Sequence, residues 1–95
     1  MASRKFTYGE KMNPSVIIYS SATCPYCERA KMLFNKKNIA YTEVRIDIDP
    51  EKRIEMQNKA HRQSVPQIFI NEHHIGGCDD LYALEAAGHL DKFFE

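Results

Sequence analysis

The chain has 95 residues, the length of one small domain, and its 43% hydrophobic content is enough to fill a single core. Lys plus Arg and Asp plus Glu both number 13, so the formal net charge is zero; a nucleic-acid binder or an anionic-membrane binder would show a basic stripe, and neither is expected. No apolar run approaches a membrane span, and the N-terminus lacks the apolar centre of a secretory signal.

Residues 1–13 are polar and unpatterned and stop at Pro14. They read as a flexible leader without chemistry, with a start or junction near Met12, so that the domain is expected to occupy residues 14–95. Ser15 to Ser20 is continuously apolar at its centre and reads as a central strand. Pro25 suits the first turn of a helix, where its missing N–H has no partner to lose. From there Tyr26, Ala30, Leu33 and Phe34 recur at helical spacing, and Lys36 and Lys37 complement the dipole at the end. Ala40 to Ile48 alternates, with Ala40, Thr42, Val44, Ile46 and Ile48 on one face and Tyr41, Glu43, Arg45 and Asp47 on a wetter one. Strand, helix and strand in about thirty residues predict a βαβ unit with a parallel pair.

Asp49 and Pro50 mark a second helix as cap and first position, running to about His61. Its apolar content is thin (Ile54, Met56, Ala60), which predicts a surface helix. Val65-Pro66 begins the next strand, Gln67 to Ile70; Asn71-Glu72 turns the chain, and His73 to Ile75 returns antiparallel. Gly76-Gly77 breaks the strand, and Asp79 and Asp80 favour the first turn of a third helix with Leu81 and Leu84 inside. Gly88 ends it, and Leu90, Phe93 and Phe94 form a docked C-terminal turn. The order β-α-β-α-β-β-α with a four-stranded mixed sheet is the thioredoxin-like α/β arrangement.

The chemistry concentrates in Cys24-Pro25-Tyr26-Cys27, between the first strand and the first helix. Two thiols at this spacing can close a small disulfide ring. Partial positive charge at the helix N-terminus stabilises a thiolate, and the thiolate is the nucleophile of thiol–disulfide exchange. In a βαβ context the motif reads as redox chemistry. With Cys78 the cysteines number three. A disulfide-stapled secreted domain would show an even framework, so reduced thiols in the cytoplasm are the expectation.

Other assignments of these residues are weaker. A zinc site would need two further ligands from His73, His74 or Cys78, and no second paired motif exists. Alternation puts His73 and His74 on opposite faces, a poor chelating arrangement. No metal is expected. Cys78 reads as a partly buried small residue rather than a third catalytic thiol, though it would be open to regulatory oxidation if exposed. Asp79 and Asp80 have a local reading as helix-start acids, which accounts for Asp80 better than for Asp79. Tyr26, set between the two thiols, reads as a groove residue rather than simple packing.

Three segments in this order resemble the glutaredoxin family: Cys24-Pro25-Tyr26-Cys27, then Ser64-Val65-Pro66-Gln67-Ile68-Phe69-Ile70, then Gly76-Gly77-Cys78-Asp79-Asp80-Leu81. The resemblance covers roughly residues 15–94. The tetrapeptide is that of the dithiol branch, and the detail is similar to the bacterial glutaredoxin 3 type. Thioredoxins usually carry Cys-Gly-Pro-Cys, and monothiol iron–sulfur glutaredoxins Cys-Gly-Phe-Ser.

The resemblance implies a glutathione-dependent thiol–disulfide oxidoreductase with no permanently bound cofactor. Glutathione would be the reducing co-substrate. Protein–glutathione mixed disulfides and protein disulfides, such as that of ribonucleotide reductase, would be the partners of a monomeric enzyme. Cys24 would be the nucleophile and Cys27 the resolving thiol, with a potential near that of the family, about −200 to −230 mV. Val65 would precede a cis proline, Pro66, and offer its backbone N–H and C=O to the cysteinyl unit of glutathione. Gly77, Cys78 and Asp79 would meet the γ-glutamyl end, its carboxylate on backbone N–H groups at a helix start and its ammonium on the Asp79 carboxylate. Tyr26 would wall the groove beside Ser64, which stands for the family's usual Thr. The family commonly carries Lys at the position of Ser21, which has no charge; Arg62 and Gln63 lie where the family contacts the glycine carboxylate. Two rivals remain: a thioredoxin-like protein served by a flavoprotein reductase, against which the Val65 and Asp79 landmarks argue, and a dimeric iron–sulfur binding module, which Pro25 disfavours.

Overall fold

The computed structural model describes residues 15–94. The expected leader, residues 1–13, lies outside them, as do Pro14 and Glu95. In chain order the elements are β1 (Val16–Ser20), α1 (Pro25–Lys36), β2 (Thr42–Arg45), α2 (Pro50–Ala60), β3 (Gln67–Ile70), β4 (His73–Gly76), α3 (Cys78–Ala86) and a closing 3-10 turn (Leu90–Phe94). The strands form one sheet in the order β2-β1-β3-β4. β1 and β2 run parallel, Ile17 opposite Thr42 and Tyr19 opposite Val44. β1 and β3 run antiparallel, Val16 opposite Ile70 and Tyr19 opposite Gln67. β4 returns antiparallel to β3.

Both sheet faces are covered, which is why β1 and β3 are almost continuously apolar. On one face α1 and α3 bury Ala30, Leu33, Phe34 and Leu81 against Val16, Ile18, Ile68 and Ile70, with Leu90 from the 3-10 turn. On the other face α2 brings Met56 and Ala60 against Tyr19, Ile46 and Phe69. Lys37, at the end of α1, pairs with Glu85 of α3 at 2.9 Å and with Asp91 of the 3-10 turn at 2.8 Å.

Local signals account for most boundaries. Asp49 caps α2 by accepting the Glu51 N–H at 3.0 Å, with Pro50 at the first position. Asn71 and Glu72 make the β3–β4 turn with φ of 51° and 71°, the twist that a tight hairpin between right-twisted strands requires.

Three expectations are corrected. β2 stops at Arg45, and Ile48 is exposed instead of following Val44 and Ile46 inward. The chain turns there because Arg45 grips the Asp47 carboxylate at 2.6 Å and 2.7 Å, and Asp47 also accepts the Ala22 N–H at 3.3 Å. The supposedly wetter face is not uniform either, since Tyr41 packs on Phe34 with ring centroids 5.8 Å apart. Helix α2 is no mere surface helix: Met56 is fully buried, and only Ile54 of its larger apolar residues turns outward.

Phe34 is wholly buried at the centre of the larger cluster. Phe34→Ala should lower unfolding free energy by about 3–5 kcal/mol through lost transfer energy and the cavity left behind. Urea denaturation would read this directly; a loss below about 1 kcal/mol would show that the site collapses around the gap.

Candidate active site

Cys24 is the N-cap of α1. Its backbone is extended, and its Sγ accepts the Cys27 N–H at 3.1 Å. A sulfur seated there takes one of the four unpartnered N–H groups of the first turn and lies at the positive end of the helix dipole. The same Sγ lies 3.8 Å from the Val65 carbonyl oxygen. The loop before it, residues 21–23, is tied to the turn that follows β2 by the Ala22–Asp47 bond.

Cys27 is buried completely, whereas Cys24 retains 9% of its surface, so the two thiols differ in access. Burial pushes the Cys27 thiol up to about 12, with the Cys24 sulfur adding to the shift; the Ser21 backbone and the Lys31 ammonium oppose it. The Cys78 thiol is also raised, first by burial and then by the Asp79 carboxylate. All three cysteines are free thiols. Among the described residues, no group of three or more His, Cys, Asp or Glu side chains is gathered closely enough to hold a metal ion.

Beside the thiols runs a groove of about 220 Å³. One wall is Arg62, Ser64, Val65 and Pro66, from the loop between α2 and β3; the other is Gly77, Cys78 and Asp79, at the start of α3, with Tyr26 of α1 closing the thiol end. The Val65–Pro66 peptide is cis, as the resemblance implied. Tyr26 is 54% exposed, so it belongs to the groove and not to the inward stripe of α1 suggested by its spacing. Gln63 is exposed and does not line the groove.

Two residues of the site escaped the sequence reading. Gln67, wholly buried, donates from Nε2 to the Ser64 carbonyl oxygen at 3.0 Å and lies 2.7 Å from His74 Nε2 through its Oε1. It ties the groove wall to β4. A lone polar residue opening the run Gln67-Ile68-Phe69-Ile70 was the available signal. The second is Asp80, which unlike Gln67 lines the groove itself; its Oδ2 accepts the Gly77 N–H at 2.9 Å and an Arg62 N–H at 3.2 Å. Its signal was its place as the third residue of α3, where a carboxylate reaches back to the cap. The two histidines face opposite sides as expected: His74 stacks on Phe69 at 4.9 Å, and His73 lies 6.1 Å from Phe93.

Paired thiols at a helix cap, facing an exposed backbone segment before a cis proline, define a thiol–disulfide exchange centre. Comparison with known proteins agrees. The family model described as Glutaredoxin matches residues 16–75. Glutaredoxin 3 of Escherichia coli is 54% identical over 81 residues, 85% of this chain and 98% of that protein. The solution structure of a glutaredoxin from Brucella melitensis superposes with a TM-score of 0.75 at 50% identity, covering 84% of this chain and 87% of that one. A buckwheat glutaredoxin–glutathione complex gives a TM-score of 0.79 at 26% identity, covering 90% and 81%. The chain belongs to the glutaredoxin family and is a glutathione-dependent thiol–disulfide oxidoreductase. Among the described residues, no helix is long and apolar enough to cross a membrane.

At a given pH a raised pKa means less thiolate. With its thiol near 12, Cys27 should hold on the order of a thousandfold less thiolate at neutral pH than a free cysteine. Iodoacetamide labelling followed by peptide mapping should therefore show Cys27 modification still climbing at about pH 10. A plateau at or below about pH 9 would contradict the burial argument.

Proposed function

We propose that Cys24 is the attacking thiolate, Cys27 the resolving thiol, and the groove beside them the seat of glutathione. The observation carrying this is the placement of Cys24 Sγ at the helix cap and 3.8 Å from the Val65 carbonyl. The Cys24 thiolate attacks the glutathione sulfur of a protein–glutathione mixed disulfide. The protein thiolate leaves and takes up a proton, and Cys24 carries the glutathione as a new mixed disulfide. A second glutathione thiolate then attacks the bound glutathione sulfur. Glutathione disulfide departs and the Cys24 thiolate is restored. With a protein disulfide as substrate, the Cys24 thiolate attacks one substrate sulfur, the substrate S–S bond breaks, and the other substrate sulfur leaves as a thiolate that takes up a proton. Cys27 loses its proton and attacks Cys24 Sγ, closing the Cys24–Cys27 bond and releasing the substrate sulfur that Cys24 held. Two glutathione molecules reopen it.

Glutathione is a peptide with two carboxylates and one ammonium, and the groove meets each part with a complementary group. The Val65 backbone pairs with the cysteinyl backbone. The N–H groups of Cys78 and Asp79, at the N-terminus of α3, take the γ-glutamyl carboxylate, and the Asp79 side chain takes the ammonium. Arg62 is the only cation among the described lining residues, and it takes the glycine carboxylate in place of the Lys that Ser21 is not. Tyr26 and Pro66 flank the disulfide, and Ser64 and Gly77 complete the two walls. The protein partners are glutathionylated and disulfide-containing proteins, with ribonucleotide reductase a candidate by resemblance. The enzyme acts as a monomer in the cytoplasm; the odd number of free thiols supports that compartment.

The test is glutathione-dependent reduction of a small glutathionylated disulfide, coupled to NADPH through glutathione reductase. Cys24→Ser should fall to background, and Cys27→Ser should keep this activity while losing reduction of protein disulfides. Equal activity of Cys24→Ser and wild type would overturn the assignment of the nucleophile.

A further inference from the structure

Asp80 is the residue of the groove that the mechanism leaves without a task. One of its oxygens, Oδ2, accepts two hydrogen bonds from opposite sides: the Gly77 N–H at 2.9 Å, on the α3 wall, and the Arg62 guanidinium at 3.2 Å, on the wall that precedes β3. It is the direct link between the two walls. The local backbone is shaped around this carboxylate. Gly76 has φ of +116°, and a Cβ there would lie 2.3 Å from Asp80 Oδ2, so only glycine lets the oxygen reach the Gly77 N–H. Asp80 is held ionised, its carboxyl lowered first by the Gly77 N–H and then by Arg62. Arg62 follows the left-handed residue His61 and is half exposed, and among the described residues its side-chain partner is the Asp80 carboxylate. A guanidinium has five N–H donors in a planar fork. A bond to Asp80 from Nη1 leaves the rest of the fork open to a second carboxylate.

We infer that Asp80 is a positioning residue for glutathione: anchored on the Gly77 N–H, it aims Arg62 at the place of the glycine carboxylate and so couples the two ends of the groove. This rests on the glutathione site proposed above. Asp80 touches no reacting atom and acts through Arg62. The chemical class selected is a γ-glutamyl peptide with a free C-terminal carboxylate, in preference to the same peptide ending in an amide.

The experiment compares wild type, Asp80→Asn, Arg62→Gln and the double variant, with glutathione and with its C-terminal glycinamide analogue as reductants. The asparagine can still accept the Gly77 N–H, and thermal melting checks that the fold is kept. Asp80→Asn should raise the KM for glutathione about threefold to fivefold, the upper range for a half-exposed ion pair, with kcat held. It should leave the KM for the glycinamide analogue unchanged. In the Arg62→Gln background, Asp80→Asn should cost nothing more. A KM for glutathione that stays level or falls would overturn the inference, since Asp80 would then be inert or a competitor for Arg62. An equal rise with both reductants would also overturn it, by reducing Asp80 to a structural cap. Either failure leaves wild-type turnover with glutathione intact. Loss of the glutathione site itself would show differently, as wild-type turnover that does not depend on glutathione.

Discussion

The site depends on one constraint: α1 must sit on the sheet so that its first turn lies at the C-terminal end of β1. Ala30, Leu33 and Phe34 bury into the face formed by Val16, Ile18, Ile68 and Ile70, and this fixes where the helix begins. Cys24 is thereby carried to the edge where the loop into β3 passes. Open α/β sheets place ligands beyond the carboxyl ends of their strands for the same reason: helix N-termini gather there. The apolar packing has no part in the chemistry, yet it sets the separation between Cys24 Sγ and the Val65 backbone.

Depth divides the labour of the two thiols. Both belong to the same first turn, but one caps the helix with a small part of its surface open and the other is wholly buried. The outer sulfur accepts the Cys27 N–H at the helix cap, while desolvation holds the inner one as a thiol. A pair with that asymmetry has a defined order of attack. In the mechanism proposed above, the inner thiol acts after the outer one is bonded, when proximity compensates for its small thiolate fraction.

Charge in the groove is local and not a property of the whole chain. The molecule is neutral overall, while the groove is lined by one guanidinium, that of Arg62, and by two carboxylates, those of Asp79 and Asp80, at the start of α3. The walls are steadied from behind by partly buried polar contacts, Gln67 to Ser64 on one side and Asp80 to Gly77 on the other. Such groups matter because a site displaced by even about 1 Å can lose much of its rate advantage.

The groove was legible only through the resemblance of its segments to glutaredoxins, whereas the element order, the redox pair and the starts of the first two helices were determined by the sequence itself. Each is a local rule: period two or period 3.6, Pro at a first helical turn, Asp at a cap, thiols three residues apart. It went astray where distant partners decide. Ile48 follows the alternation of β2, yet the Arg45–Asp47 pair and the Ala22 N–H turn the chain before the pattern finishes. Met56 is buried on a helix with little apolar content because the second sheet face, built by Tyr19, Ile46 and Phe69, needs a cover. Gln67 and Asp80 acquire their roles only in three dimensions. Ser64 lies near Gln67 in sequence, but His74 and Arg62 come to these two residues from other elements, so only the tertiary structure could pair them.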